Sequence, residues 1–145
     1  MKIMGLDVGD KTIGIAISDA LLITAQGLKT LMRVGIKKDT NDLLNIIKEN
    51  NIDEIVIGIP KNLNGTDSPQ TEKVYLFKEK LQNKLKSNSM QDIRLIDWDE
   101  RYTTSIAEDV LIQANMDRHQ RKEVIDKMAA VIILQSYLDY LKNVN

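Results

Sequence analysis

An aspartate among small residues near the start of the chain is the first candidate for chemistry. Asp7 lies in a predicted strand, residues 3–8, and shares one face of that strand with Gly5. Gly14 and Ala16 keep the second predicted strand of the hairpin equally slim. Glycine within a strand often marks a place where a ligand or another backbone approaches closely. A charged residue with such neighbours therefore indicates a site and not a part of the core.

Two further carboxylates have positions suited to the same site. Glu100 directly follows the last predicted strand, and ligands of open α/β sheets bind at the carboxyl ends of strands. Asp126 lies in a predicted helix with Ala129 and Ala130 on its face, and two alanines allow that helix to approach the sheet closely. Three carboxylates from two strands and a helix would form an oxygen-rich site that suits one or two Mg²⁺ or Mn²⁺ ions.

Each of these acids also has a structural interpretation. Asp7 could cap the turn that follows it, since aspartate favours turns. Glu100 could be an ordinary surface residue. Asp126 could pair with Lys122 or Lys127 along its own helix. Taken one at a time, the three acids leave the choice between site and surface open.

The elements that must position these acids alternate along the chain. Three predicted strands come first, and the third covers residues 26–33. The elements that follow are a helix at 39–50, a strand at 54–59, a helix at 69–86, a strand at 93–98, a helix beginning among 103–105 and a helix at 117–141. This order predicts an α/β fold with a mixed five-stranded sheet, antiparallel in its first three strands with parallel additions, flanked by helices.

Length and composition define the class of protein. The 145 residues suit one domain, 1–145, and carry no cysteine that could form a disulfide or a thiolate metal site. No apolar run is long enough to span a bilayer and the amino terminus lacks a signal-peptide core, so we expect a cytoplasmic protein with no membrane partner. The 20 basic and 21 acidic residues balance, so charge alone does not indicate nucleic-acid binding.

Five collinear motifs resemble the YqgF/RuvX family of RNase H-like proteins. They cover almost the whole chain and are GLDVG with KTIGIA near the amino terminus, VIGIP leading to NGT, PQTE, DERYTT with AE, and RK with DKMAA and ILQ. The resemblance implies an RNase H-like fold and a nuclease that processes the 5′ end of pre-16S rRNA, with an older suggestion of Holliday-junction resolution. By position, Asp7, Glu100 and Asp126 match the acidic residues of the family.

Two positions depart from the family pattern. Thr12 stands where the family frequently has arginine after the lysine, which removes one possible phosphate contact. Ala129 stands where related resolvases can place a second acid or a histidine on the motif helix. The second departure weakens the case for a second tightly held metal ion.

The resulting hypothesis is phosphodiester hydrolysis by metal-activated water. Asp7 would be the bridging metal ligand, and Glu100 and Asp126 would complete the set of ligands. The candidate phosphate contacts are the three cations Lys11, Arg101 and Lys127, although Arg101 could instead neutralise Asp99. The loop 61–67 could move over bound nucleic acid. The expected partner is structured nucleic acid, pre-rRNA or a pre-ribosomal particle, bound by a monomer or weak dimer.

Three other functions remain open. A Holliday junction resolvase would be expected to dimerise, because a two-fold substrate calls for a two-fold protein. A non-catalytic RNA-binding factor for ribosome assembly is consistent with the balanced charge. An ATPase of the actin-like or sugar-kinase type fits the opening hairpin, but its cleft needs two lobes and this chain supplies one.

Overall fold

The sheet has five strands in the order β3-β2-β1-β4-β5. The computed structural model describes residues 1–103 and 118–144, apart from the side chains of Tyr102 and of residues 118–127. The strands are β1 (Ile3–Val8), β2 (Thr12–Ser18), β3 (Ala25–Met32), β4 (Glu54–Ile59) and β5 (Arg94–Asp99). Antiparallel pairing joins β1, β2 and β3, whereas β4 is parallel to both β1 and β5. The predicted mixed sheet is confirmed.

Helices cover both faces of this sheet. The described helices are α1 (Ile36–Glu49), α2 (Pro69–Ser87) and α3 (Arg118–Val144). One face packs against α1 and α2 through a core that includes Leu6, Ile57, Leu43 and Phe77. The opposite face packs against α3 through a second core. All six residues of β4 are buried, as expected of a parallel strand covered on both faces.

Side chains define where the first two helices begin. Ser68 caps α2 by accepting a hydrogen bond from the Thr71 N–H, and Pro69 occupies the first turn as predicted. Helix α1 begins at Ile36, three residues before the predicted start. Its early start follows from Asp39, whose carboxylate accepts hydrogen bonds from backbone N–H groups just ahead of the helix.

Helix α3 lies directly on the strand that carries Asp7. A Cβ atom added at Gly5 would come within 2.7 Å of the Leu134 Cβ and 3.0 Å of the Ala130 carbonyl oxygen. Ala130 is fully buried in this contact. Small residues on both elements therefore allow the close approach that the sequence predicted.

The remaining differences from prediction are small or fall outside the described residues. Strand β5 begins and ends one residue later than predicted, and α3 ends at Val144 instead of 141. The helix predicted to begin among residues 103–105 lies outside the described residues. In the described part of the chain, no helix combines the length and apolar character needed to span a bilayer.

Candidate active site

The acids predicted from the two strands meet at one edge of the sheet. Because β1, β4 and β5 run parallel, their carboxyl ends lie at the same edge. Asp7 is near the end of β1, where it pairs with Gly14 of β2. Glu100 follows β5 directly and begins a single 3-10 turn, Glu100–Tyr102. This edge is where open α/β sheets bind their ligands.

Glu100 folds back over the neighbouring strand. A Cβ atom added at Gly58 of β4 would lie 2.9 Å from both the Cγ and the Cδ atoms of Glu100. The same atom would lie 2.5 Å from the Cδ1 atom of Ile133 on α3. The missing side chain of Gly58 thus provides the space that Glu100 and Ile133 occupy.

The carboxyl groups of Asp7 and Glu100 interact directly. Burial raises the pKa of Glu100 to about 8, and the charge of Asp7, a hydrogen bond with Asp7 and the charge of Asp99 add to the increase. Two carboxylates forced together resist ionising together, so one retains a proton near neutral pH. A divalent cation bound between the two carboxylates would compensate their charge and displace this proton to water, so the pair is a candidate metal or acid–base site.

Arg101 binds Asp99 beside this pair. Its Nε atom donates to both carboxylate oxygens of Asp99 at 3.1 and 2.9 Å, and its Nη2 atom lies 2.7 Å from Oδ2. Hydrogen bonds from this guanidinium hold the pKa of Asp99 below its ordinary value. The structure thus shows the neutralising contact that was one of the two interpretations of Arg101.

Arg101 also connects the acidic pair to the loop 61–67. Its Nη1 atom donates to the Leu63 carbonyl at 3.4 Å and lies 3.1 Å from the position of a Cβ atom at Gly65. Lys61 and Asp67 close the base of the loop with a 2.9 Å ion pair and a β-bridge. The loop therefore lies against the site, and the charge of its Lys61 also lowers the pKa of Asp99.

The turn after Asp7 carries another candidate cation. Lys11 is exposed in this turn, residues 9–11, which the Gly9 N–H closes by donating to the Thr12 carbonyl at 2.8 Å. Arg33, which directly follows β3, also restrains this turn, because its Nη1 atom donates a hydrogen bond to the Gly9 carbonyl at 2.8 Å. Lys11 therefore lies in a turn that two hydrogen bonds stabilise, one within the turn and one from Arg33.

The backbone register of α3 brings residue 126 near the acidic pair. Ile133 lies at Gly58 and Tyr137 at Glu54, so α3 runs antiparallel to β4 and therefore to β1. Residue 126 lies four residues, about 6 Å along the helix axis, before Ala130, which contacts Gly5. Moving two residues along β1 from Gly5 to Asp7 covers about 6.6 Å in the same direction.

The side chains of Asp126 and Lys127 lie outside the described residues, so their predicted roles stay predictions. Within the described ranges, no group of three or more acidic, histidine or cysteine side chains is arranged to hold a metal ion. The described acidic site consists of Asp7 and Glu100, with Asp99 paired beside them.

Two contributors to this edge were not singled out in the sequence. Lys61 follows the predicted strand 54–59 after one proline, and a cation just past a parallel strand is a signal that could have identified it. Gly58 gave no comparable signal, because strand alternation does not show which side chain from a distant segment fills the space above a glycine.

Comparisons with known proteins agree with this architecture. A family model described as "RuvX: Holliday junction resolvase" matches residues 1–140. A protein of Desulforamulus reducens named "Putative pre-16S rRNA nuclease" is 54% identical over 139 residues, covering 96% of this chain and 97% of that protein. A Clostridioides difficile protein of the same name is 54% identical over 142 residues, covering 98% and 96%.

Solved structures give the same fold at low sequence identity. Thermus thermophilus RuvC in complex with a Holliday junction substrate has a TM-score of 0.63 at 10% identity, covering 99% of this chain and 96% of that chain. The yeast mitochondrial Holliday junction resolvase Ydc2 has a TM-score of 0.56 at 11% identity, covering 98% and 82%. At these identities the likeness shows the fold, which is the predicted RNase H-like one. Because the family model spans nearly the whole chain and full-length relatives share about half of its residues, the chain belongs to the RuvX family.

Proposed function

We propose that this protein is a metal-dependent nuclease that hydrolyses phosphodiester bonds and that its substrate is the 5′ end of pre-16S rRNA. The observation that carries the proposal is the direct contact between Asp7 and Glu100 at the carboxyl edge of the sheet. The names of the full-length relatives support the choice of RNA substrate. The partner would be pre-rRNA or a pre-ribosomal particle.

The residues present fit a hard divalent cation. The donors of the site are carboxylate oxygens, which Mg²⁺ and Mn²⁺ prefer, and the sequence offers no cysteine thiolate. Burial, and after it the charge of Asp7, raise the pKa of Glu100 to about 8, which supports a site where a bound cation would compensate the two carboxylates. We assign Asp7 and Glu100 as ligands and propose Asp126 as the third, from the register of α3.

The chemistry divides between the ion and the protein. When bound, Mg²⁺ or Mn²⁺ lowers the pKa of water and stabilises negative charge on the phosphate. Asp7, near the end of β1, and Glu100, directly after β5, would hold the ion at this edge of the sheet. Lys11, Arg101 and Lys127 are the proposed phosphate contacts, and Lys61 joins them as a cation of the adjoining loop.

A cleavage assay tests the proposal. Purified protein is incubated with precursor rRNA, a four-way DNA junction and simple duplexes, each with Mg²⁺, with Mn²⁺ and with chelator. Asp7→Asn should abolish cleavage and remain folded. The matched control is Asp92→Asn, which changes an exposed acid outside the site. Full cleavage by Asp7→Asn would refute the assignment of the site.

Holliday-junction resolution is the second candidate function. The description of the matching family model favours it, and the fold is shared with solved resolvases. Paired cuts in the four-way junction by a dimer would support this candidate, whereas a monomer that cuts only precursor RNA would support rRNA processing. RNA binding that is indifferent to Mg²⁺ and to Asp7→Asn would instead indicate a non-catalytic assembly factor.

A further inference from the structure

Arg33 makes contacts with three separate parts of the fold. Its Nε atom donates to Oδ2 of Asp39 at 2.9 Å, and its guanidinium lies 5.2 Å from the ring centroid of Phe77 on α2. Its Nη1 atom donates to the Gly9 carbonyl at 2.8 Å. Its own backbone N–H donates to the Lys11 carbonyl at 2.9 Å. Two of these hydrogen bonds therefore reach the turn that follows Asp7.

The carboxylate that anchors Arg33 is itself immobilised. The Asp39 side chain is fully buried and also accepts hydrogen bonds from the Val34 and Gly35 N–H groups at 3.0 and 3.4 Å. Burial alone would raise the pKa of Asp39, but these hydrogen bonds and the Arg33 charge hold it below its ordinary value. Asp39 is thus a fixed anion at the start of α1, and Arg33 is held by it at a fixed distance from the turn.

We infer that Arg33 is a positioning residue for the proposed metal site. It fixes the turn 9–11 and thereby the end of β1, where Asp7 faces Glu100. This inference rests on the proposed function. Asp7 is two residues from the carbonyl that Arg33 holds, so a small displacement of the turn moves the Asp7 carboxylate. Residues that orient metal ligands in this way typically contribute ten- to a hundredfold, roughly, to metal affinity or activity.

A guanidinium is required for this arrangement. It presents several N–H donors in a rigid plane, so one side chain can bind the Asp39 carboxylate and the Gly9 carbonyl while stacking on Phe77. A lysine ammonium at position 33 would retain the pairing with Asp39 but is a single point charge without that planar fork. Arg33→Lys therefore keeps the positive charge beside Asp39 and removes the planar set of donors that also reaches Gly9.

The test compares Arg33→Lys with a control substitution, Arg94→Lys, at the opposite edge of the sheet. Arg94 also pairs with a buried carboxylate, since its Nη2 atom lies 2.7 Å from Oε2 of Glu54, whose side chain is 3% exposed. Arg94 and Glu54 lie at the beginnings of β5 and β4, at the edge of the sheet opposite Asp7. Arg94→Lys thus removes a guanidinium–carboxylate pair without touching the turn 9–11.

Two measurements are made on each variant. The first is hydrogen–deuterium exchange of the segment 7–12 in metal-free protein, which needs no activity. Exchange in Arg33→Lys should be about three- to tenfold faster, as expected for one lost hydrogen bond. The second is the Mg²⁺ concentration that gives half of the maximal thermal stabilisation, which should rise about ten- to a hundredfold. The kcat should fall with little change in KM for the nucleic acid.

The outcomes separate this inference from the proposed function. Exchange and Mg²⁺ dependence within about twofold of wild type in folded Arg33→Lys would overturn the inference, and so would equal changes in Arg94→Lys. If wild-type protein shows no Mg²⁺ effect or Asp7→Asn still cleaves, the proposed function fails instead. The exchange rates of the metal-free protein still report whether Arg33 holds the turn.

Discussion

The carboxyl group of Glu100 lies where a side chain at Gly58 would have to be. A Cβ atom at Gly58 would come within 2.9 Å of the Glu100 Cδ atom and within 2.5 Å of the Ile133 Cδ1 atom. Glycine at this position therefore fixes both the site and the packing of α3. Gly58→Ala should reduce cleavage about a hundredfold by displacing Glu100. It should also lower the free energy of unfolding by about 1–3 kcal/mol through overpacking.

A second variant separates these two effects. Ile133→Val removes the Cδ1 atom, so the double variant Gly58→Ala/Ile133→Val relieves the clash with α3 and leaves the clash with Glu100. We expect chemical denaturation to show part of the stability restored while cleavage stays low. Gly35→Ala is the control, because no atom lies within 4 Å of a Cβ there. Wild-type cleavage by Gly58→Ala would contradict the placement of Glu100.

The raised pKa of Glu100 predicts how stability depends on pH. The folded pKa is about 8 and the ordinary value is 4.5, so between these limits the metal-free folded state retains a proton that the unfolded chain releases. The stabilisation is fully present below about pH 4.5 and is lost as pH rises through 8, because the folded state binds more protons in this window. The free energy of unfolding should therefore fall as pH rises in this range.

Glu100→Gln provides the comparison for that prediction. The amide has no proton to lose, so the variant should match wild type near pH 5 and be more stable than wild type at pH 8.5. Denaturant titrations at several pH values in the presence of chelator measure this difference. Cleavage should be lost even at the pH values where the variant is more stable, because active-site residues often sacrifice stability for activity. If the unfolding free energies of the two proteins changed with pH in the same way, the raised pKa of Glu100 would be contradicted.

The parts of the site that the sequence predicted depend on local patterns. Alternation along β1 placed Asp7 and Gly5 on one face, and the parallel strand order placed Glu100 at the same edge. Both inferences follow from the two-residue repeat of strands and from the crossover rule for parallel strands. The structure confirms the sheet and brings the carboxyl groups of Asp7 and Glu100 together at one edge, while their roles as metal ligands stay predictions.

The parts that the sequence did not predict depend on contacts between distant segments. Arg33 meets residues 9, 39 and 77, which belong to three different elements, and no pattern within β3 indicates these partners. The early start of α1 likewise depends on the Asp39 carboxylate, which accepts hydrogen bonds from the N–H groups of Val34 and Gly35 just before the helix. Helix periodicity cannot detect such a contact, because it reports burial and not hydrogen bonding.

Lys11 should contribute to binding and not to the chemical step. It is exposed in the turn next to Asp7, where it can reach a phosphate of bound nucleic acid. Lys11→Gln should raise KM and reduce the slope of log affinity against log salt by about one, with kcat nearly unchanged. Lys37→Gln is the control, since Lys37 is also exposed but lies on α1, outside the turn 9–11. An unchanged salt slope in Lys11→Gln would exclude a phosphate contact.

Tyr137 should contribute to stability without contributing to cleavage. Its hydroxyl donates at 2.7 Å to Oε1 of Glu54, which is buried at the start of β4, at the edge opposite Asp7. Burial and this contact raise the pKa of Tyr137 to about 12, so the hydroxyl remains a donor across the working pH range. Tyr137→Phe keeps the ring against Trp98 but leaves one oxygen of a buried carboxylate without this donor.

The expected cost of Tyr137→Phe is about 1–3 kcal/mol of unfolding free energy, because a buried charged acceptor loses its hydrogen bond. Denaturant unfolding of wild type, Tyr137→Phe and Tyr137→Phe/Glu54→Gln measures it. The double variant should recover part of the loss, since a neutral amide is less costly to leave buried than a carboxylate and the ion pair given up is with Arg94, whose side chain is 70% exposed. Cleavage below the unfolding transition should equal that of wild type in both variants. A loss of cleavage in folded Tyr137→Phe would mean that the two edges of the sheet are coupled, because α3 connects Tyr137 at one edge to Ile133 and Glu100 near the other.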